Sequence, residues 1–241
     1  MVDLHIHTTA SSDGAHTPEE IFQFALQQQL RFIAFADHNS IASVPQGMKL
    51  AKKYHINFIS AIEIKTNHHD YDLHILAYGF EPSSTEFSEW LEGIEKKRWE
   101  QAIRRVEKLK KLGFTIEWED VLKQSPKVVP TGINFLKALL SKEENSSDPR
   151  LLPYPPGGNR SNSPYLNFYL DYLRGGKPAY VSQENVESCE VISKILEFNA
   201  IPVLAHPSDT PLGFIKELVS AGLKGMEVFS SYLDDHITKN G

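Results

Sequence analysis

Polar and apolar residues alternate over Met1-Val2-Asp3-Leu4-His5-Ile6-His7. This predicts a strand with His5 and His7 on one face. The next rhythm is helical. Thr17-Pro18-Glu19-Glu20 is a start signal, with Thr17 as cap, Pro18 in the first turn and Glu20 closing a capping box; Ile21, Phe24 and Ala25 then follow helical spacing. Phe32-Ile33-Ala34-Phe35-Ala36 is short and wholly apolar, as in a strand covered on both faces. A helix over 44–54, a third strand over 56–63 and a fourth over 72–78 follow. Strands alternating with helices predict a parallel sheet or barrel.

The texture changes near Glu81-Pro82-Ser83-Ser84. Over 86–111, Trp90, Ile94, Ala102, Val106 and Leu109 mark one apolar stripe on a long helix, while Lys96-Lys97-Arg98 and Arg104-Arg105 read as its solvated face. Residues 125–164 are rich in Pro, Gly, Ser and Asn. Residues 82–185 are therefore expected to form a helical and loop-rich insertion in a domain made of 1–81 and 186–241. The strand–helix rhythm resumes at Ile201-Pro202-Val203-Leu204-Ala205-His206-Pro207, then a helix over 212–221 and a strand over 225–229.

Composition narrows the function classes. A chain of 241 residues suits one domain, or one domain with an insertion. Its net charge of −6 offers no basic footprint for duplex DNA, but leaves room for small phosphorylated substrates whose charge is met by cations. The single cysteine, Cys189, allows no internal disulfide, and no signal peptide or bilayer-length apolar run is visible. The expectation is a soluble, cytoplasmic protein without membrane partners.

Ten histidines change the picture more. His5, His7, His38, Glu63 and His206 sit at the ends of predicted strands, His74 lies within one, and Asp13 is in the loop after the first. Each has a plain alternative. His5 and His7 could decorate a wet edge, His38 could cap a helix, His74 could be a core residue, Glu63 could pair with Lys65, and His206-Pro207 could be a turn. Together they gather coordinating side chains where βα loops converge. The set exceeds one four-coordinate site, so two or three divalent ions (Mn, Fe or Zn) are expected, with Glu63 able to bridge. Closely spaced cations stabilise phosphoryl transfer and generate hydroxide near neutral pH. Ser11, Ser12, Ser60 and Cys189 lack a triad context.

In order and spacing, several segments resemble the PHP (polymerase and histidinol phosphatase) family of metallo-phosphoesterases. They are Asp3-Leu4-His5-Ile6-His7, Ser12-Asp13-Gly14, Ala36-Asp37-His38-Asn39, Glu63 before His74-Ile75-Leu76, Ala205-His206-Pro207, and Gly225-Met226-Glu227-Val228-Phe229. The resemblance covers about 1–80 and 186–232, plus Gly175-Gly176-Lys177-Pro178-Ala179-Tyr180-Val181. It implies an α/β fold, a distorted seven-stranded TIM-like (β/α) barrel with a mostly helical insertion over the active site. It also implies one metal on His5, His7 and Glu63, a second on Glu63, His74 and His206, and a third on Asp13 and His38. A metal-bridging hydroxide held by Glu63, Asp13 and His38 would attack phosphorus, with Lys177 contacting phosphate and Asp37 orienting ligands. The branch with a helical insertion implies phosphomonoesters of nucleotides, or short oligonucleotides, as substrates.

Two departures accompany the resemblance. The family pattern closes with Asp-x-His after one more strand, whereas this chain ends at Asn240-Gly241 about where that strand is expected. Asp234-Asp235-His236 has the wording but follows the 225–229 strand too closely, so the closing ligands are expected in a longer reading frame. In the insertion, Thr131-Gly132-Ile133-Asn134-Phe135 carries Gly132 and Asn134 where relatives carry an Arg and a His that hold phosphate, and Arg160 lies in a loop-like stretch. These departures keep open a catalytically degenerate PHP metal-binding module, and the His-x-His of the first strand keeps open an amidohydrolase-like C–N or C–O hydrolase with Lys65 as its candidate lysine bridge.

Overall fold

The computed structural model describes residues 1–229 except 12, 70, 183–185 and 208–209. The chain divides into two compact units, Met1–Ile94 with Asn185–Gly241, and Glu95–Glu184.

In the first unit the elements run β1 (Val2–Ile6), α1 (Pro18–Gln27), β2 (Phe32–Phe35), α2 (Val44–Tyr54), β3 (Asn57–His68) and β4 (Tyr71–Tyr78). Next comes α3 (Thr85–Lys111), whose residues to Ile94 belong to this unit. The second unit holds the rest of α3, then α4 (Trp118–Gln124), α5 (Gly132–Leu140) and the short α6 (Pro164–Phe168). The first unit resumes with α7 (Ser188–Glu197), β5 (Ile201–Leu204), α8 (Leu212–Ser220) and β6 (Gly225–Met226).

The six strands form one sheet in the order β1-β2-β3-β4-β5-β6. It curls as a half-barrel. Two bonds record the curl: the Tyr78 hydroxyl of β4 donates to Leu4 O of β1 at 3.0 Å, and His5 of β1 lies 3.1 Å from Glu227, just past β6. The expected all-parallel arrangement is corrected here. β1–β2, β2–β3 and β5–β6 are parallel, but β3–β4 and β4–β5 are antiparallel. Only two residues separate His68 from Tyr71, too few for a crossover, so β4 must fold back as a hairpin. β3 is also longer than the expected 56–63, and β6 shorter than 225–229.

Helix α1 has the expected start: Thr17 accepts from Glu20 N, and the Glu20 carboxylate accepts from Thr17 N at 2.8 Å. Its buried face is Pro18, Ile21, Phe22 and Ala25, whereas Phe24, expected in the stripe, is 46% exposed and packs its ring edge-on to His16. The hydrophobic core between sheet and helices includes Ile62, Ile64 and Ile75 with Val191, Ile192, Ile195 and Leu218. A separate core in the second unit joins Leu109, Phe135, Leu139, Phe168 and Leu173. Among the described residues no helix is long and apolar enough to cross a membrane.

Candidate metal centre

Glu63 is the hub. It lies in the middle of β3 rather than at a strand end, and it is fully buried. Its backbone is held by the segment after β2: Glu63 N donates to Asp37 O at 3.2 Å and Asn39 N donates to Glu63 O at 2.8 Å. That pairing fixes His38 beside it.

Five imidazoles converge on the Glu63 carboxylate. Oε1 lies 2.7 Å from His74 Nδ1 and 3.0 Å from His206 Nε2. Oε2 lies 2.8 Å from His38 Nδ1, 3.0 Å from His7 Nε2 and 3.4 Å from His5 Nε2. Strand alternation aims His5 and His7 the same way, with their Nε2 atoms 3.2 Å apart. His74 reaches the cluster from within β4, and its Nδ1 is 3.1 Å from His206 Nε2. His206 follows β5 at φ +28°, a left-handed bend whose N–H donates to Glu227 Oε2 at 2.8 Å. Asp13 sits at the rim, 2.9 Å from His7 Nδ1 and 3.3 Å from His38 Nε2, and accepts from Ser11 Oγ at 2.6 Å. The expected metal ligands His5, His7, Asp13, His38, Glu63, His74 and His206 thus meet in one place.

Outer groups fix how these rings present their nitrogens. His5 Nδ1 lies 3.1 Å from Glu227 Oε1, and His7 Nδ1 faces Asp13. Carboxylates at Nδ1 select the Nδ1–H tautomer and leave the Nε2 lone pair free. The neutral rings then bring two Nε2 atoms together with Glu63 Oε2, with edges of 3.0, 3.2 and 3.4 Å. Three acceptors cannot satisfy one another, but they match a cation's donors, because metal–nitrogen bonds of about 2.0–2.1 Å give donor–donor edges of about 2.9–3.4 Å. His38 Nδ1 and Glu63 Oε2 are close yet lack hydrogen-bond geometry, so both remain buried without a hydrogen-bond partner. This donor set fits divalent metal.

Without metal, protons must supply the positive charge. Burial opposes protonation of His5, but Glu227 and Glu63 outweigh it and push its pKa up to about 10. His7 is likewise raised against burial, to about 9, by Asp13 and Glu63. His74 goes the other way, to about 3, because burial outweighs the attraction of Glu63. Burial also opposes ionisation of Glu63 and Asp13, yet the imidazoles hold both well below the usual carboxylate range.

Asp37 is fully buried and accepts from Thr8 N at 2.6 Å, from Thr8 Oγ1 at 2.9 Å and from the Ser43 hydroxyl. Thr8 follows His7 and Asp37 precedes His38, so this knot anchors both segments. Glu227 is the site residue that motif reading did not single out. Its signal was an acidic residue inside the predicted 225–229 strand, a segment the resemblance covers without giving Glu227 a role.

The remaining expected residues lie in the second unit or outside the described residues. Lys177 is exposed in a turn of the second unit, where its N–H donates to Arg174 O at 3.0 Å. Thr131-Gly132-Ile133-Asn134-Phe135 begins α5, and Asn134 serves its cap: Oδ1 accepts from Thr131 N at 2.8 Å, and Nδ2 donates to Gln124 O at 3.0 Å. Arg160 is committed to an ion pair with Asp171. Ser12 and Asp234-Asp235-His236 lie outside the described residues.

Known proteins resemble the chain across most of its length. A 5'-3' exoribonuclease of Haemophilus influenzae is 29% identical over 206 residues, covering 85% of this chain and 68% of the relative. A 3',5'-nucleoside bisphosphate phosphatase of Chromobacterium violaceum is 24% identical over 244 residues, covering 97% of this chain and 79% of the relative. A solved structure described as an amidohydrolase from Chromobacterium violaceum, with bound sulfate and no metal, superposes with a TM-score of 0.77 at 22% identity, covering 99% of this chain and 80% of that one. At that identity the likeness is one of fold. The PHP domain model matches residues 3–143, more than half of the chain, and the protein belongs to the PHP domain family.

Proposed function

We propose that this protein is a metal-dependent phosphoesterase that hydrolyses phosphomonoesters of small phosphorylated substrates, nucleotides or short oligonucleotides among them. The observation that carries the reading is the convergence of five imidazoles on one buried carboxylate, with Glu227 and Asp13 fixing the ring tautomers. The names of the Haemophilus and Chromobacterium relatives support a phosphorylated substrate.

In this reading His5, His7 and Glu63 hold one cation, Glu63, His74 and His206 a second, and Asp13 and His38 a third. Two or three divalent ions (Mn, Fe or Zn) would be bound. Once bound, they polarise phosphoryl oxygens and supply hydroxide near neutral pH. Glu63, Asp13 and His38 orient the attacking oxygen, and Asp37 keeps the His7 and His38 segments in register with them. Lys177 is the candidate phosphate contact, and 82–185 is a mostly helical insertion in a distorted seven-stranded PHP barrel. The protein acts in the cytoplasm.

The test is metal analysis of protein purified without chelator, paired with phosphate release from a 3',5'-nucleoside bisphosphate in manganese. The expected result is at least two metals per chain and turnover that His5→Ala abolishes while the fold survives. Protein that retains no metal, or that releases no phosphate when loaded, would overturn the proposal.

A further inference from the structure

The far end of β3 carries a second set of metal-type side chains. Side chains alternate across a strand, so His68 points to the opposite face from Glu63, and five residues place it about 16 Å further along. On that face Thr66 Oγ1 meets Ser188 Oγ of α7 at 2.7 Å, and His68 is 3% exposed. His68 Nε2 lies 3.0 Å from Glu217 Oε2 of α8, and His69 Nε2 lies 3.3 Å from the same oxygen. Adjacent strand residues normally diverge. Here His69 adopts φ +50°, which brings the two rings to 4.6 Å, with Phe214 packed against both.

The outer contacts orient His68 for coordination. Its Nδ1 lies 2.6 Å from Glu187 Oε1, while Glu187 Oε2 accepts from Cys189 N at 2.6 Å and Glu190 N at 3.2 Å at the start of α7. A carboxylate behind Nδ1 fixes the tautomer that leaves Nε2 as the donor, the arrangement found behind metal-bound imidazoles. Cys189 stands on the Nδ1 side, 3.9 Å away, where Glu187 already occupies that nitrogen.

We propose that His68, His69 and Glu217 hold a further divalent cation of the zinc type, separate from those of the Glu63 cluster, with Glu187 orienting His68. Two imidazoles and one carboxylate suit a borderline metal and leave coordination positions for water. The cation joins the β3–β4 hairpin to α8, outside the Glu63 cluster. It is a structural and exchangeable site, and its occupancy is independent of turnover.

The test compares wild-type protein with His69→Asn, Glu217→Gln and the double variant, each dialysed against the same excess of zinc. His69 and Glu217 are 63% and 52% exposed, so these changes leave the core untouched. The double variant is expected to hold one zinc fewer per chain, to lose part of the zinc-dependent rise in Tm, and to match wild type in Tm when zinc is chelated. A His5→Ala/His7→Ala background separates the sites, because the hairpin zinc should persist there and disappear on adding the double change. Equal zinc content and equal zinc-dependent Tm in wild-type and double variant would overturn the proposal, whatever the activity.

Discussion

Replacing Asp37 by Asn is the most direct test of what holds the candidate centre together. The carboxylate is wholly buried and accepts three hydrogen bonds, two from Thr8 and one from Ser43. Asn keeps the shape and one good acceptor for Thr8 N–H, but removes the charge and turns the second acceptor into a donor. Hydrogen bonds to a charged group contribute about 1.5–3 kcal/mol each against about 0.5–1.5 for neutral ones, so three such bonds predict a loss of about 3 kcal/mol. For a unit of this size that corresponds to about 6–12 °C in Tm. Asp37→Ala should cost about 1–3 kcal/mol more, because Thr8 N–H is then buried without an acceptor. Ser43→Ala, which removes one bond, should cost least. Thermal unfolding in EDTA measures all three without a contribution from metal. The reasoning is wrong if Asp37→Asn unfolds within about 1 °C of wild type, or if Ser43→Ala costs as much as Asp37→Asn.

Three further outcomes follow from other parts of the structure. His5 and His7 are raised to about 10 and about 9 in the metal-free protein, so their protons stabilise it fully below their ordinary value and that stability is lost as pH rises through 9 to 10. Metal displaces those protons, so apparent affinity should climb between pH 7 and 9 by up to about tenfold per pH unit for each proton released; chelator-competition titrations showing a flat profile would refute this. At Gly14 an added Cβ would lie 1.8 Å from Thr8 O, so Gly14→Ala must move the Asp13 loop; about 1–3 kcal/mol of lost stability and weaker metal binding are expected, and calorimetry showing neither would count against it. In the second unit, buried Asn145 bonds Thr115 N, Thr115 O and Leu139 O at 3.0, 2.8 and 2.9 Å. Asn145→Ala should therefore cost about 2–4 kcal/mol, seen as a shifted urea midpoint.

Local signals were the readable part of the sequence. The His5/His7 pair depends only on strand alternation, and the α1 start only on residues within one turn. What escaped depends on partners far away in the chain. Phe22 and Phe24 are two positions apart on one helix, and it is tertiary packing against Phe35 and Phe58 that buries the first. The expected third strand stops at Glu63, where its apolar run gives way to polar residues. The polar residues that follow it, Lys65, Thr66 and Asn67, nevertheless continue β3 by pairing with β4. Glu227 and the His68–Glu217 pair are assembled by contacts across 222 and 149 residues, beyond any local pattern.

The hairpin between β3 and β4 has a further consequence. In a parallel strand a ligand can be moved along its loop, whereas on an antiparallel strand the register alone decides which side chain faces inward. Lys65 is paired with His74, and the strands are joined by two residues. Adding or deleting one residue at that joint would shift the ladder by one and turn His74 outward, with Leu73 or Ile75 facing Glu63 in its place. The hairpin is a measuring device: its length, as much as the identity of any ligand, decides whether the fifth imidazole reaches the cluster.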